Sequence, residues 1–502
     1  MTALASLMPK TLARDLPASI VVFLVAMPLC MGIAIASGAP AEKGLVTGII
    51  GGLVVGLLAG SPLQVSGPAA GLAVIVFELV RDQGLSALGP VLLVAGAIQF
   101  VAGVFRLGGW FRAISPAVVH GMLAGIGVLI VVGQFHVMFD AKPLPNGLAN
   151  VAAIPGRLLG LDAGHPALPA LMTGLVTIAV MLGWEKLRPA SLRLVPGALV
   201  GVLTGTLVAF ALGLKVARVA VPASIGDAFA LPGVDLFTRA ADPALLVSAF
   251  AIAFIASAET LLSAAAVDRM HDGPRTNYNK ELRAQGVGNA LCGVFGALPM
   301  TGVIVRSSAN VQAGAATRLS AIMHGAWILG FVALLPWLLN EIPMAALAGI
   351  LVVTGWRLIS IQHVRHLFGR YGMLSAVIWA ATLTMVVAED LLTGVLVGLA
   401  LSLIELVPHA RRLKLTVEQH DTEEGRRIAL DGAATFIMLP RLSAALDSAP
   451  VDRPVRLDMT KLAAIDHTCA EMVSEWLHRR HKSGHETELA GGDARVRRLV
   501  AA

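Results

Sequence analysis

Two charged residues stand in stretches where nothing else nearby is charged. Arg306 lies in TGVIVRSSANVQAGAAT, residues 301–317, between a Val-Ile-Val run and a string of Ser, Ala, Asn and Gly. Glu259 lies in FIASAETLLSAAAVD, 254–268, with Ser263 one turn further along the same helical face. An arginine in such a place carries a permanent positive charge into a poorly solvated region, which makes it a functional candidate unless it is paired or reaches the interface. A carboxyl group there can neutralise that arginine, bind a cation such as Na⁺ through oxygen, or take up a proton. Burial and neighbouring charge act on it in opposite senses, so residue type alone does not choose among the three. His120, His136 and His324 read as packing residues. Asn289, Asn310 and Gln312 read as hydrogen-bonding links between helices.

The elements that carry these residues are membrane spans. Of 502 residues, 56% are hydrophobic and only 14% charged, against about a quarter charged in soluble domains. Mean hydropathy is +0.78, which excludes an ordinary cytosolic enzyme. The apolar residues are mostly Ala, Leu, Val and Gly, as in closely packed membrane helices. Candidate spans fall at 16–37, 44–60, 67–80, 86–105, 116–138, 168–184, 194–214, 243–266, 284–299, 306–317, 319–338, 343–360, 371–388 and 391–408. With the N-terminus cytoplasmic and the spans alternating, the short cytoplasmic segments collect most of the Lys and Arg, including Arg106, Lys186, Arg269, Lys280 and Arg318. The net charge of +6 reflects this sidedness and gives no reason to expect a nucleic acid partner. Cys30, Cys292 and Cys469 are far apart and form neither a disulfide framework nor a metal site. There is no HExxH and no GxSxG, so an enzyme is not expected.

Two spans, 67–80 and 306–317, are too short to cross about 30 Å of hydrocarbon as helices. Each follows an extended-looking piece, LQVS at 63–66 and GVIV at 302–305. They are the third span of the first seven and the third of the second seven, the pattern of two inverted repeats with broken helices at the binding site. A helix that starts in mid-membrane leaves its first N–H groups unpaired and its positive dipole end exposed, so an anion is the natural guest. In SGPAAG, Ser66 reads as a cap and Pro68 as a first-turn proline, while Gly67 and Gly71 permit close approach. Ser307 and Ser308 read as caps of the second half-helix, with Arg306 at its start.

Beyond about residue 410 the composition changes. Residues 411–502 are rich in charge, with alternating stretches such as PVRLDM and a helical stripe in AEMVSEWLHRR at 472, 473, 476 and 477. The expected plan is a cytoplasmic N-terminus at 1–14, a membrane domain at 15–410 (repeats about 15–214 and 243–408) and a small cytoplasmic α/β domain at 411–502.

Five motifs resemble the SulP anion permeases, the bacterial relatives of the animal sulfate, chloride and bicarbonate exchangers: DLPASIVVFLVAMPLCMGIAIASG (15–38), GSPLQVSGPAAGLAVIV (60–76), SPAVVHGMLAGIGVLI (115–130), FIASAETLLSAAAVD (254–268) and GALPMTGVIVRSSANVQAGAATRLSAI (296–322). DMTKLAAIDHTCAEMV (458–473) resembles part of a STAS domain. The resemblance implies an all-α polytopic fold of fourteen spans in a seven-plus-seven inverted repeat. Spans 1–4 and 8–11 would form a core domain that moves against a gate domain of spans 5–7 and 12–14. It implies an anion held near Ser66, Gly67, Ala69, Ala70, Val305, Arg306 and Ser307, with Leu29 or Cys30 on the wall and Glu259 with Ser263 as the coupling site. Where some relatives have Thr, this chain has Ala69, so backbone N–H groups carry more of the binding.

The expected function is secondary active transport of bicarbonate, sulfate or a dicarboxylate, coupled to H⁺. Na⁺-coupled bicarbonate symport with Na⁺ near Glu259 and Ser263, anion exchange and an uncoupled chloride channel stand as alternatives. No cofactor is expected. The expected setting is the inner (plasma) membrane, with both termini cytoplasmic, a homodimer, and a cytoplasmic protein partner on the STAS-like tail, where Thr468 is a regulatory candidate or a helix cap.

Overall fold

The computed structural model describes residues 11–111, 115–222, 239–359, 373–406 and 415–492, apart from 163, 193, 272, 423–424, 436–437, 451–452 and 483. Single residues are also described between 223 and 238 and beyond 492. Lys10, most of the expected N-terminal segment 1–14 and the expected junction at 410–411 lie outside the described residues. The chain falls into two compact units. One comprises 1–108, 124–359 and 387–391; the other comprises 109–123, 360–386 and 392–502.

The first unit is a packed set of apolar helices: α1 (Leu12–Ala36), α2 (Ala41–Ile50, continued through a π-turn to Leu58), α3 (Ala73–Gln83), α4 (Leu88–Val104), most of α5 (Pro116–Met138), α6 (Gly147–Leu159), α7 (Leu168–Leu187), α8 (Gly197–Ala211), α9 (Pro243–Asp268), α10 (Tyr278–Val294), α11 (Ile304–Gln312), α12 (Leu319–Leu334) and α13 (Met344–Ile359). Among the described residues, six helices are long and apolar enough to cross a membrane, and five shorter ones are apolar. At 1.5 Å per residue, α3 with eleven residues and α11 with nine are far too short to cross. Two three-residue strands precede them, β1 (Ser66–Pro68) and β2 (Met300–Gly302), so the membrane part is not purely helical.

Most span ends shift by a few residues from the sequence expectation, the third helix starts at Ala73 after a turn from Ala70 rather than at 67, and two further differences have a clear local cause. The segment expected at 284–299 is helical from Tyr278, because Asn277 accepts the Lys280 N–H and caps α10. That start draws Glu281 into the helix, fully buried, where it accepts the N–H groups of Gly60 and Ser61 at 2.8 and 2.9 Å and the Gln285 amide at 3.0 Å. The segment expected at 306–317 stops at Gln312. Gly314 takes a left-handed conformation (φ 90°), and the following turn is tied to Asp15, which accepts the N–H groups of Ala316 and Thr317. α10 lies against α4 through a seam of small residues. A Cβ at Gly96 would meet Gly286 O at 2.5 Å, and one at Gly286 would meet Phe100 N at 2.5 Å, so the backbones touch directly.

The second unit holds α14 (Met373–Ala388) except its last two residues, α15 (Leu391–Leu406) except its first, and an α/β domain. That domain is a four-stranded sheet in the order β3 (Leu415–Thr422), β4 (Gly425–Ala434), β5 (Val455–Ile465), β6 (Thr487–Gly491). β3 and β4 form an antiparallel hairpin, with Leu415 opposite Gly432. β4–β5 and β5–β6 are parallel and cross over through α16 (Leu439–Asp447) and α17 (His467–Lys482). Met472, Val473 and Trp476 of α17 are buried against Ile428, Leu430 and Leu457 of the sheet, and Leu477 packs at the edge of the same cluster. The Cys469 N–H is capped by Asp466 at 2.9 Å, so Thr468 is not the cap.

Candidate functional site

The site is built on the crossing of β1 and β2. The strands are antiparallel, with Ser66 opposite Gly302, Gly67 opposite Thr301 and Pro68 opposite Met300. α3 and α11 each follow the C-terminal end of their strand, so both N-termini lie close to the ribbon. Polar side chains buried in apolar helices hold the crossing. Asn289 pairs with both N–H and C=O of Met300 (2.8 and 3.1 Å). Thr260 Oγ1 accepts the Gly302 N–H (3.1 Å), and its carbonyl accepts Gln64 Nε2 (2.9 Å). Gln285 Nε2 donates to Ser66 Oγ (2.7 Å), and Asn310 Nδ2 donates to Leu63 O (3.0 Å). Unmade, each such bond would leave a buried polar group at about 1–3 kcal/mol.

The capping roles expected of the serines and the proline are not found. Pro68 is in β1, and the first helical turn begins at Ala70 after an extended Ala69. Val303 occupies the cap position of α11, and neither helix has a side-chain cap. Ser66 is in the strand and is committed to Gln285. Ser307 lies within α11, where its hydroxyl accepts the Val65 N–H (2.9 Å) and donates to Val303 O (2.7 Å). Ser308 donates to Val305 O (3.0 Å). The hydroxyl of Ser307 therefore locks ribbon to helix, because a residue one turn into α11 faces the 63–66 backbone. The first-turn N–H groups stay without intrahelical acceptors: Ala70 and Gly71 on one side, Ile304, Val305 and Arg306 on the other.

Arg306 is fully buried, and its three guanidinium nitrogens have no oxygen or nitrogen acceptor; the Cys30 thiol of α1 lies within hydrogen-bonding reach of the guanidinium. Its Nη1 occupies the space where any larger residue at 67 would put a side chain: a Cβ on Gly67 would fall 2.0 Å from it. Glu259 uses Gly71 in the same way. A Cβ there would fall 2.7 and 2.8 Å from its two carboxylate oxygens. Its Oε2 is enclosed without a partner. No ion pair joins Glu259 to Arg306, so the static salt bridge that the sequence left open is not formed. The two glycines of GPAAG thus receive the two charges of the site, four residues apart.

Around them, Leu29, Cys30, Ser66, Ala69, Ser263 and Ser307 are buried, Ala70 is half-buried, and Val305 is exposed. Sequence reasoning missed Thr47, Gln64, Thr260, Gln285 and Glu281 as fasteners. The available signal was a polar residue inside an otherwise apolar or glycine-rich run.

The sulfate permease family matches residues 12–382. The chain belongs to that family. Sulfate permease family members are transporters, not enzymes. The chain is 31% identical to the putative sulfate transporter YvdB of Bacillus subtilis, over 82% of its own length and 76% of that protein's. It is 25% identical to the bicarbonate transporter BicA of Picosynechococcus, over 78% and 69%. Among solved structures, it resembles the transmembrane domain of a cyanobacterial BicA with a TM-score of 0.68 at 25% identity, covering 77% of this chain and 98% of that one. It shares the fold of murine Slc26a9, with a TM-score of 0.67 at 14% identity, covering 98% and 88%. The fold is therefore a mostly helical, multi-pass membrane architecture followed by an α/β sheet region.

Proposed function

We propose that this member of the sulfate permease family is a secondary active transporter of a small oxyanion or carboxylate, with bicarbonate, sulfate and dicarboxylates as the candidates. The observation that carries this reading is Arg306: fully buried, with no oxygen or nitrogen acceptor for its guanidinium, at the first turn of a half-helix whose preceding strand pairs with the strand that leads into the other half-helix. An anion between the two N-termini would meet two positive dipole ends, free backbone N–H groups and one full charge. The binding set is Gly67, Ala69, Ala70, Val305 and Arg306, with Leu29 and Cys30 behind it. Ser66 and Ser307 support the backbone.

Glu259 is assigned to coupling. It faces the start of α3 at Gly71, and a carboxyl oxygen without a partner is equipped to take up a proton as the anion arrives. A Na⁺ here would need Ser263 and backbone oxygens beside Glu259, whereas a proton needs the carboxyl group alone, so H⁺ is the preferred ion. The architecture that fits is fourteen spans in a seven-plus-seven inverted repeat. A core domain would carry the site past a gate domain, in a homodimer in the plasma membrane with both termini cytoplasmic. The four-stranded α/β domain is assigned as STAS-like, for assembly or for a cytoplasmic protein partner.

The test is uptake of labelled bicarbonate, sulfate and fumarate by proteoliposomes, with and without an inward proton gradient and with and without Na⁺. The expected result is accumulation of one anion only when a proton gradient is imposed. Arg306→Ala should abolish that uptake while the protein remains folded. Wild-type uptake by this variant would overturn the site, and uptake that only equilibrates under every gradient would overturn coupled transport.

A further inference from the structure

His324 is a second large polar side chain shut inside the same helix packing. It lies on α12, is fully buried, and its Nδ1 contacts the carbonyl oxygen of Ala321. A carbonyl only accepts, so this contact assigns the ring proton to Nδ1 and leaves Nε2 with a lone pair. Nε2 is enclosed and has no partner. Arg306 presents the complementary case, with donors at Nε, Nη1 and Nη2, all enclosed and without an oxygen or nitrogen acceptor.

Two adjacent glycines of α2 link the surroundings of the two groups. A Cβ on Gly52 would fall 2.9 Å from His324 Cε1, the ring carbon next to Nε2. A Cβ on the adjacent Gly51 would fall 2.5 Å from Ser66 O and 3.2 Å from Gly67 N, and Gly67 is the residue against which Arg306 Nη1 is pressed. Ile328, one turn beyond His324, meets the same face of α2 at Gly48, beside Cys30.

We propose that His324 is a positioning residue for Arg306, with Nε2 linked to the guanidinium through one bridging water, while Nδ1–H is anchored on Ala321 O. A neutral acceptor orients the guanidinium without cancelling its charge, so the full positive charge stays available to an anion. A carboxylate in that place would compete with the anion. This inference rests on the reading of Arg306 as the anion site.

Three variants of the full-length protein in proteoliposomes separate the two ring nitrogens. His324→Asn keeps a polar group at the δ position only, His324→Gln carries the amide out toward the ε position, and His324→Leu removes both. Half-saturation and maximal rate are read for labelled bicarbonate, sulfate and fumarate. His324→Gln is expected to stay within about threefold of wild type, while His324→Asn and His324→Leu raise half-saturation about tenfold or more, as for one lost charge-assisted hydrogen bond. The reverse order, with Asn preserved and Gln impaired, would place the role in the Ala321 contact and overturn the proposal, as would wild-type half-saturation in all three. If the variants do not fold, ¹⁵N-histidine spectra of the wild type decide. A buried histidine protonated at Nδ1, whose Nε2 signal moves in Arg306→Ala, is expected, and an unmoved signal overturns the proposal. Unchanged uptake in Arg306→Ala would defeat the site reading itself. An inactive Arg306→Ala beside wild-type half-saturation in His324→Asn and His324→Leu would defeat only this inference.

Discussion

The contact between Gly67 and Arg306 gives a sharper test than removal of the arginine. Gly67→Ala adds one methyl group in β1 and leaves every charge in place. Its Cβ would lie 2.0 Å from Arg306 Nη1 and 3.1 Å from Cζ. Ordinary contact is about 3.5–4.0 Å, so the guanidinium must retreat by roughly 1.5 Å. The group that yields is the far end of a flexible side chain, so the fold survives and the displacement falls on the arginine. A hydrogen bond of about 2.9 Å stretched by that amount is no longer one. Loss of one charge-assisted bond to the anion is worth about 1.5–3 kcal/mol, or roughly 10- to 150-fold in half-saturation. A five-donor guanidinium can swing another N–H toward the anion, which favours the lower end. The assay is concentration-dependent uptake in proteoliposomes, with thermal unfolding in detergent as the control for folding. A folded Gly67→Ala protein with the half-saturation of wild type would refute the placement of the anion against Arg306.

Gly71→Ala drives a methyl group against the carboxylate of Glu259, 2.7–2.9 Å away, so it should weaken gradient-driven accumulation more than anion affinity; equal losses in both would show that the two sites are not separable. Glu259→Gln should leave downhill exchange of the anion and remove its dependence on the proton gradient, read as the ratio of internal to external label at steady state. In the α/β domain, Asp458 accepts the Thr460 hydroxyl and N–H at 2.6 and 2.9 Å and pairs with Arg427. These contacts, the Thr460 hydroxyl foremost, hold its pKa at about 2, below the ordinary 3.8. Its contribution to stability is therefore present above about pH 4 and lost as pH falls through 2, and Asp458→Asn should lower the unfolding temperature of that domain at pH 7 and flatten its acid limb; an unchanged acid limb would assign the loss to other carboxylates.

The parts of this molecule that were legible in its sequence are those in which composition has one physical reading. A charge in an apolar run has few bland explanations: Arg306 proved to be fully buried in the first turn of α11, and Glu259, half-buried on α9, to rest against Gly71 at the start of α3. Length alone marked these two spans as broken, since the stretches 67–80 and 306–317 cannot cross a bilayer as helices. The hydroxyl groups were misread for a definite reason. Serine beside a helix start is the usual cap, but Ser307 and Ser66 bond to residues 242 and 219 positions away, Val65 and Gln285. Such pairings depend on which turn of one helix faces which strand, and local sequence carries no record of that. Charged residues misled at α10, where Lys280, Glu281 and Arg283 suggested a loop. Glu281 is a buried acceptor for two backbone N–H groups, a role visible only once Gly60 and Ser61 are in place.

The separation of Glu259 from Arg306 bears on how a carrier of this kind would work. An unpaired arginine inside the membrane costs about 3 kcal/mol or more, and an ion pair with Glu259 would be the obvious relief. Such a pair would also force every incoming anion to displace a carboxylate. In the observed arrangement each charge rests against its own glycine, Arg306 at Gly67 and Glu259 at Gly71, on the same short connection between β1 and α3. For a carrier that couples the two, the backbone of residues 67–71 is the connection the structure offers in place of a salt bridge. Coupling by that route requires both glycines at once, so the double substitution at 67 and 71 should lose uptake by more than the product of the two single losses.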